Sequence, residues 1–140
     1  LLVYLSGSLV KSVCMNAMGT HPSENTDNAC ILLRFENGDN AVVNYFSNGN
    51  KGYSKERLEV YFDEKTIIMD NFRETVAYGV KSFSSMKTKQ DKGHKAQFDL
   101  LVESNKNGGG PLIPFDQIIN VTKASLAAIE SLKTGAWVNV

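Results

Sequence analysis

The stretch Pro114–Val140, PFDQIINVTKASLAAIESLKTGAWVNV, reads as one long helix running straight into a short apolar strand. At 3.6 residues per turn, Ile118, Ile119, Val121, Leu126, Ile129 and Leu132 fall on one side, and Gln117, Asn120 and Lys123 largely on the other. Pro114 suits a helix start, and Asp116 places negative charge near the positive end of the helix dipole. Lys133 lies in the last turn, and Gly135 is well placed as a left-handed stop. The apolar stripe is expected to lie on something apolar, and the rest of the chain says what.

The preceding residues supply strands. Leu9–Met18, Ala29–Phe35 and Ala41–Phe46 are strand-like, with the turn-rich loop GTHPSENT (residues 19–26) after the first. Asn37-Gly38 between two apolar runs signals a hairpin. With Asn37 and Gly38 as a two-residue turn, Leu33 pairs with Val42 and Leu32 with Val43. One face then carries Ile31, Leu33, Phe35, Val42 and Phe46; the other carries Cys30, Leu32, Ala41, Val43 and Tyr45. Both faces are largely apolar, so helices should cover one and another domain or subunit the other. After the glycine-rich loop SNGNKGYS (residues 47–54), Arg57–Phe62 and Thr66–Met69 are strands around an Asp63-Glu64-Lys65 turn. Asn71–Val80 and Lys81–Lys87 are weaker strands. From Asp91 to about Asn107 the period becomes helical, with Phe98, Leu101, Val102 and His94 sharing a face and Asp91 as N-cap. The sequence therefore predicts one α+β domain over residues 1–140: a mainly antiparallel, open-faced sheet with helices packed on one face.

Composition narrows the function. Fifteen basic residues balance fifteen acidic ones, which leaves no electrostatic source for nucleic-acid or anionic-membrane binding. No apolar run approaches the ~20 residues of a membrane span. Cys14 and Cys30 are expected to be buried free thiols in a cytoplasmic protein, with one disulfide as the alternative. Leu1–Leu5 looks like the end of an apolar helix stopped at Gly7, and it lacks the basic residues that precede the apolar core of a signal peptide. The expectation is a chain cut from something longer.

Order and spacing along nearly the whole chain resemble the C-terminal domain of the Gfo/Idh/MocA oxidoreductases. Leu1–Gly7 is similar to the stretch after that family's catalytic helix. Phe35-Glu36-Asn37-Gly38 is similar to its F-x-N-G turn, and Asp70-Asn71-Phe72-Arg73 to a segment of many members. Ala127–Val140 is similar to its closing A-x-x-S-x-x-T-G-x-x-V-x-V. The resemblance implies a dihydrodipicolinate-reductase-like C-terminal domain that shapes a substrate site and self-associates through its sheet. It implies an N-terminal Rossmann domain binding NAD or NADP, and a sugar, polyol or nucleotide-sugar-like substrate. The cofactor and catalytic residues do not carry over. No Gly-x-Gly-x-x-Gly occurs, and Gly108-Gly109-Gly110 ends a helix where a phosphate cradle would open one. Glu64-Lys65-Thr66 lacks the proline of the family's E-K-P. The catalytic Asp-x-x-x-His would fall before residue 1, so this chain alone is expected to bind no cofactor and to be inactive.

Five residues are candidates for substrate contact. Arg73 is a possible carboxylate or phosphate anchor, against the plainer reading of a surface ion pair. Lys92 and His94 could reach a sugar hydroxyl, against the plainer reading of a helix start. Lys51 and Tyr53 could reach an anionic group, against solvated loop charge. His21 reads as a loop histidine, Trp137 as core or interface. His21, His94, Cys14 and Cys30 lack zinc-ligand spacing, so no metal is expected. The competing function is an independent binding or assembly module without dehydrogenase activity.

Overall fold

A computed structural model describes all 140 residues. The chain divides into two compact units, Leu1–Asn48 with Pro111–Val140 and Gly49–Gly110. The expected α+β class with antiparallel sheets is observed. The strands do not form one sheet, however: each unit holds its own sheet of four.

The first unit contains α1 (Leu2–Ser6), β1 (Val10–Ala17), β2 (Asn28–Phe35), β3 (Asn40–Phe46), α3 (Phe115–Thr134) and β8 (Val138–Asn139), with sheet order β3-β2-β1-β8. Gly7 stops α1 at φ 66°, and its N–H bonds the Val3 carbonyl at 2.9 Å. The β2–β3 hairpin departs from the two-residue turn. Phe35 donates to the Asp39 carbonyl and Gly38 to the Phe35 carbonyl, so Glu36-Asn37-Gly38 is a three-residue loop with Gly38 at φ 95°. Asn37 is held there by its own side chain, which accepts from the Asp39 N–H and donates to the Ser6 carbonyl. The register moves by one residue: Leu33 pairs with Ala41 and Leu32 with Val42. Because strand side chains alternate, Val42 and Phe46 leave the Leu33 face, and Ala41, Val43 and Tyr45 join it.

The core lies between this sheet and α3. It gathers Val13, Met15 and Ala17 of β1, Ala29, Leu33 and Phe35 of β2, Val3 of α1, and Ala124, Ala127 and Ala128 of α3. Here the helix reading is corrected. α3 buries Asn120, Ala124, Ala127, Ala128 and Ser131; Ile129 and Leu132 of the expected stripe pack half-buried against the core, while Phe115, Ile118, Ile119, Val121 and Leu126 stay exposed, Leu126 at 67%. Two causes explain this. Alanines let the helix approach the sheet closely, and β1 needs polar partners. β8 pairs with β1 only at Ser12 and Val13. Beyond that pair, Asn120 donates to the Val10 carbonyl at 2.9 Å and accepts from its N–H at 2.8 Å. Ser131 accepts from the Met15 N–H at 3.0 Å and donates to the Ala136 carbonyl. Two helix side chains thus finish the ladder that a two-residue strand cannot.

The second unit contains β4 (Arg57–Phe62), β5 (Lys65–Asp70), β6 (Glu74–Tyr78), β7 (Ser85–Lys87) and α2 (His94–Lys106), with sheet order β4-β5-β6-β7. Its turns are tight. Asp63 and Glu64 join β4 to β5 at φ 43° and 59°, and Asn71 and Phe72 follow β5 at 51° and 54°. Ala77 is its one buried hydrophobic residue. α2 buries none of its residues, and Phe98, Leu101 and Val102 are exposed. Within its unit α2 packs extensively against no strand. Asp91 does not cap α2: its carboxylate accepts from the Gly93 N–H at 2.8 Å and holds a bend in which Gly93 adopts φ 77°.

Candidate functional site

Two places concentrate exposed chemistry. The first is the uncovered face of the four-stranded sheet in the first unit. Leu32, Val42, Phe46 and Trp137 are exposed there. Cys14 and Cys30 are free and half-buried, where full burial was expected. Trp137 is not in the core: the Arg34 guanidinium lies 4.0 Å from its ring centroid, a cation–π stack at the surface. These apolar side chains alternate on that face with Asn16, Asn28, Arg34 and Asn44.

The second is a corner of the second unit, at the Asn71-Phe72 turn. Phe72 is the unusual residue: asparagine tolerates positive φ, but a bulky aromatic side chain there is a true outlier, costing on the order of 1–3 kcal/mol. The turn is braced on all sides. Arg73 donates from its backbone to the Asp70 carbonyl at 2.9 Å, and Asn71 to the Glu56 carbonyl at 2.7 Å. The Met69 sulfur accepts from the Phe72 N–H at 3.1 Å. The Gln90 amide donates to the Asn71 side chain at 2.9 Å and its carbonyl at 3.3 Å. Lys92 bonds Glu56 at 3.4 Å and sits 5.8 Å from the Phe72 ring centroid. Beside the turn is a cleft of about 200 Å3 lined by Met69, Phe72, Arg73, Thr75, Met86, Thr88 and Asp91. A larger hollow of about 360 Å3 is lined only by residues of α2 and its C-cap Asn107, so it has no opposing wall.

Of the five candidates, the structure brings Arg73 and Lys92 to this corner. Arg73 forms none of the six ion pairs, so the surface-pair reading fails for it. Lys92 is committed to Glu56 and Phe72. His94 opens α2, exposed and outside the cleft lining; Lys51 and Tyr53 are exposed on their loop. Met69, Phe72, Thr75, Met86, Thr88 and Asp91 were not among the sequence candidates for ligand contact; Asn71, a residue that accepts positive φ, is the one local signal that a tight turn falls here. No cluster of three or more potential metal-ligating side chains is present, and no helix is long and apolar enough to cross a membrane.

The electrostatics are those of an exposed surface. Tyr61 donates to Glu59 at 2.6 Å, and Arg57 binds the same carboxylate at 2.7 Å. The tyrosine hydrogen bond, then the Arg57 bond and charge, hold the Glu59 carboxyl below its usual range; Glu59 in turn raises the Tyr61 phenol. Asp39 is lowered by bonds from Ser6 and then Asn37.

The whole chain can be compared with known structures. Aldose-aldose oxidoreductase from Caulobacter crescentus matches over 99% of this chain and 44% of its own, with 19% identity and a TM-score of 0.73. Levoglucosan dehydrogenase, solved with NADH and levoglucosan, matches over 99% and 46%, with 17% identity and a TM-score of 0.74. Scyllo-inositol dehydrogenase from Lactobacillus casei, solved with NAD(H) and scyllo-inositol, matches over 99% and 44%, with 14% identity and a TM-score of 0.61. This chain has their fold. It spans a little under half of their length. No protein-family model matches the chain, and no curated protein matches it in sequence.

Proposed function

We propose that this chain is the C-terminal domain of an NAD(P)-dependent oxidoreductase of the Gfo/Idh/MocA type, acting on a sugar, polyol or nucleotide-sugar-like substrate. One observation carries the reading: almost all of the chain matches a little under half of several solved oxidoreductases. In this reading an N-terminal Rossmann domain of the same parent binds NAD or NADP and brings the acid/base pair. The present domain adds one wall of the substrate pocket, with Arg73 its best-placed candidate, and the open sheet face of its first unit for self-association. The free, half-exposed Cys14 and Cys30 fit a reducing compartment, and we place the parent in the cytoplasm.

The parent's chemistry is hydride transfer between a substrate carbinol carbon and the nicotinamide. This chain's residues bind and orient; none is assigned a proton-transfer role. Isothermal titration of the 140-residue chain with NAD+ and NADP+ should give no tight binding, and tight binding overturns the reading. A coding sequence upstream of Leu1 that holds Gly-x-Gly-x-x-Gly and Asp-x-x-x-His supports it. A start codon close to residue 1 favours the independent binding module. Sedimentation should show concentration-dependent association; a monomer at high concentration removes the assembly role.

A further inference from the structure

We propose that the cleft beside the Asn71-Phe72 turn is a binding site for a small hydroxylated carboxylate, such as a hydroxy acid or sugar acid. The inference deepens the preceding reading and rests on it for the role of Arg73 at the substrate wall, while its test is separate from that reading's.

The argument starts from what the corner leaves unpaired. The Arg73 guanidinium has no carboxylate partner and makes no hydrogen bond within the chain, although its backbone is tied on both sides: its N–H to Asp70 and its carbonyl to Thr88. The Thr75 and Thr88 hydroxyls on the same cleft also make no hydrogen bond within the chain. One Asp91 carboxylate oxygen accepts from the Gly93 N–H, which leaves the other oxygen to accept. The lining therefore offers one forked cation, one free carboxylate oxygen and two hydroxyls. An arginine fork matches a carboxylate in geometry. A ligand hydroxyl can donate to Asp91 and accept from a threonine.

The floor and wall are apolar. Met69 and Met86 flank Thr75 in one row across β5, β6 and β7. Phe72 forms the wall, and its positive φ is an outlier for an aromatic residue. Glu56 and Gln90 hold the neighbouring Asn71, the Met69 sulfur takes the Phe72 N–H, and the Lys92 ammonium lies 5.8 Å from the ring centroid. A strained residue fixed by several independent contacts is the form that a pre-organised ligand contact takes. The C–H face of a hydroxylated chain or ring would lie on this wall. The cleft, at about 200 Å3, is below the roughly 300–1,000 Å3 of pockets for drug-sized ligands, which fits a single small metabolite.

Methionine methyl NMR tests this directly, because the chain has four methionines. Met69 and Met86 lie on the cleft, while Met15 and Met18 belong to the other unit and serve as internal controls. Titrating the 140-residue chain with D-gluconate should shift Met69 and Met86 saturably and leave Met15 and Met18 unmoved. D-glucose should bind at least tenfold more weakly, and inorganic phosphate should not reproduce the shifts. Arg73→Gln should weaken gluconate at least tenfold. Phe72→Gly suits the positive φ, so its fold is not at risk, and it should weaken gluconate severalfold. The proposal is overturned if gluconate moves neither methionine, moves all four alike, or binds both variants as tightly as the parent sequence. Equal binding of glucose overturns the carboxylate, and equal binding of phosphate overturns the hydroxylated body. Absence of gluconate binding would leave the oxidoreductase reading standing, since that reading is tested by cofactor titration and the upstream sequence.

Discussion

The two units of this chain are both four-stranded antiparallel sheets accompanied by helix, yet they are held together differently. In the first, α3 lies on the sheet and closes a core around Val13, which is fully buried. In the second, Ala77 is the lone buried hydrophobic residue, and α2 keeps Phe98, Leu101 and Val102 in solvent. The difference teaches that strand pairing alone is not a core. Tight turns at Asp63-Glu64 and Asn71-Phe72 connect the strands of the second sheet, but the apolar area that stabilises a domain must come from a layer packed on it. The second unit is therefore the part that draws least stability from a core of its own.

The comparison can be broken at several points. The largest effect is expected at Asn120. Asn120→Ala leaves both the N–H and the carbonyl of Val10 unpaired and should cost roughly 2–6 kcal/mol in urea unfolding, at about 1–3 kcal/mol per orphaned buried group. A cost under 1 kcal/mol would mean that water replaces the amide. Ala128→Leu follows, at about 1–3 kcal/mol, because the close approach of α3 to the sheet has no room for a larger side chain. Amide hydrogen exchange sharpens the contrast without mutation: β1 and α3 should be protected to the level of global unfolding, and β7 and α2 should exchange by local opening. Equal protection in both units would refute the difference. Leu126→Ala should change stability by no more than about 0.5 kcal/mol, since its side chain faces solvent.

The smallest effect is electrostatic. Lys133 bonds Glu24 at 2.9 Å and ties the loop after β1 to the end of α3. The hydrogen bond from Lys133, and then its charge, lower the Glu24 carboxyl; Glu24 raises the Lys133 amine in the same way. The carboxylate's contribution is present above its unfolded value and lost as pH falls through the lowered folded one. The amine's is present below its unfolded value and lost as pH rises through the raised folded one. Stability should be flat between these limits. Lys133→Met should abolish the downward shift of Glu24 in a carboxyl NMR titration, and an unchanged Glu24 titration would refute the tether.

Much of the fold was legible because it is written in local signals. Strand alternation, the Gly7 and Gly135 stops and the Asn-Gly hairpin need only neighbouring residues. The face of α3 was misread for a physical reason. Ranking residues by hydrophobicity puts Asn120 outside and Leu126 inside. That ranking fails where a short strand leaves backbone groups that only a helix side chain can satisfy. The hairpin register was missed by one residue because Asn37-Gly38 fits two- and three-residue loops alike, and the side-chain bonds of Asn37 decided between them. Arg73 and Lys92 were recognisable as candidates from charge and position. Their different states, one unpaired and one committed, depend on which side chains the turn brings beside them.

By itself the sequence determined the α+β class and the main strands and helices, with the Gly7 and Gly135 helix stops, since each follows from residue-by-residue conformational preference. Only the tertiary structure decided that the strands form two sheets, that α3 packs by its small residues, and that a strained Phe72 stands over a cleft with an unpaired arginine. Those outcomes depend on which distant backbone groups and side chains are left without partners, and that becomes defined only once the chain has closed on itself.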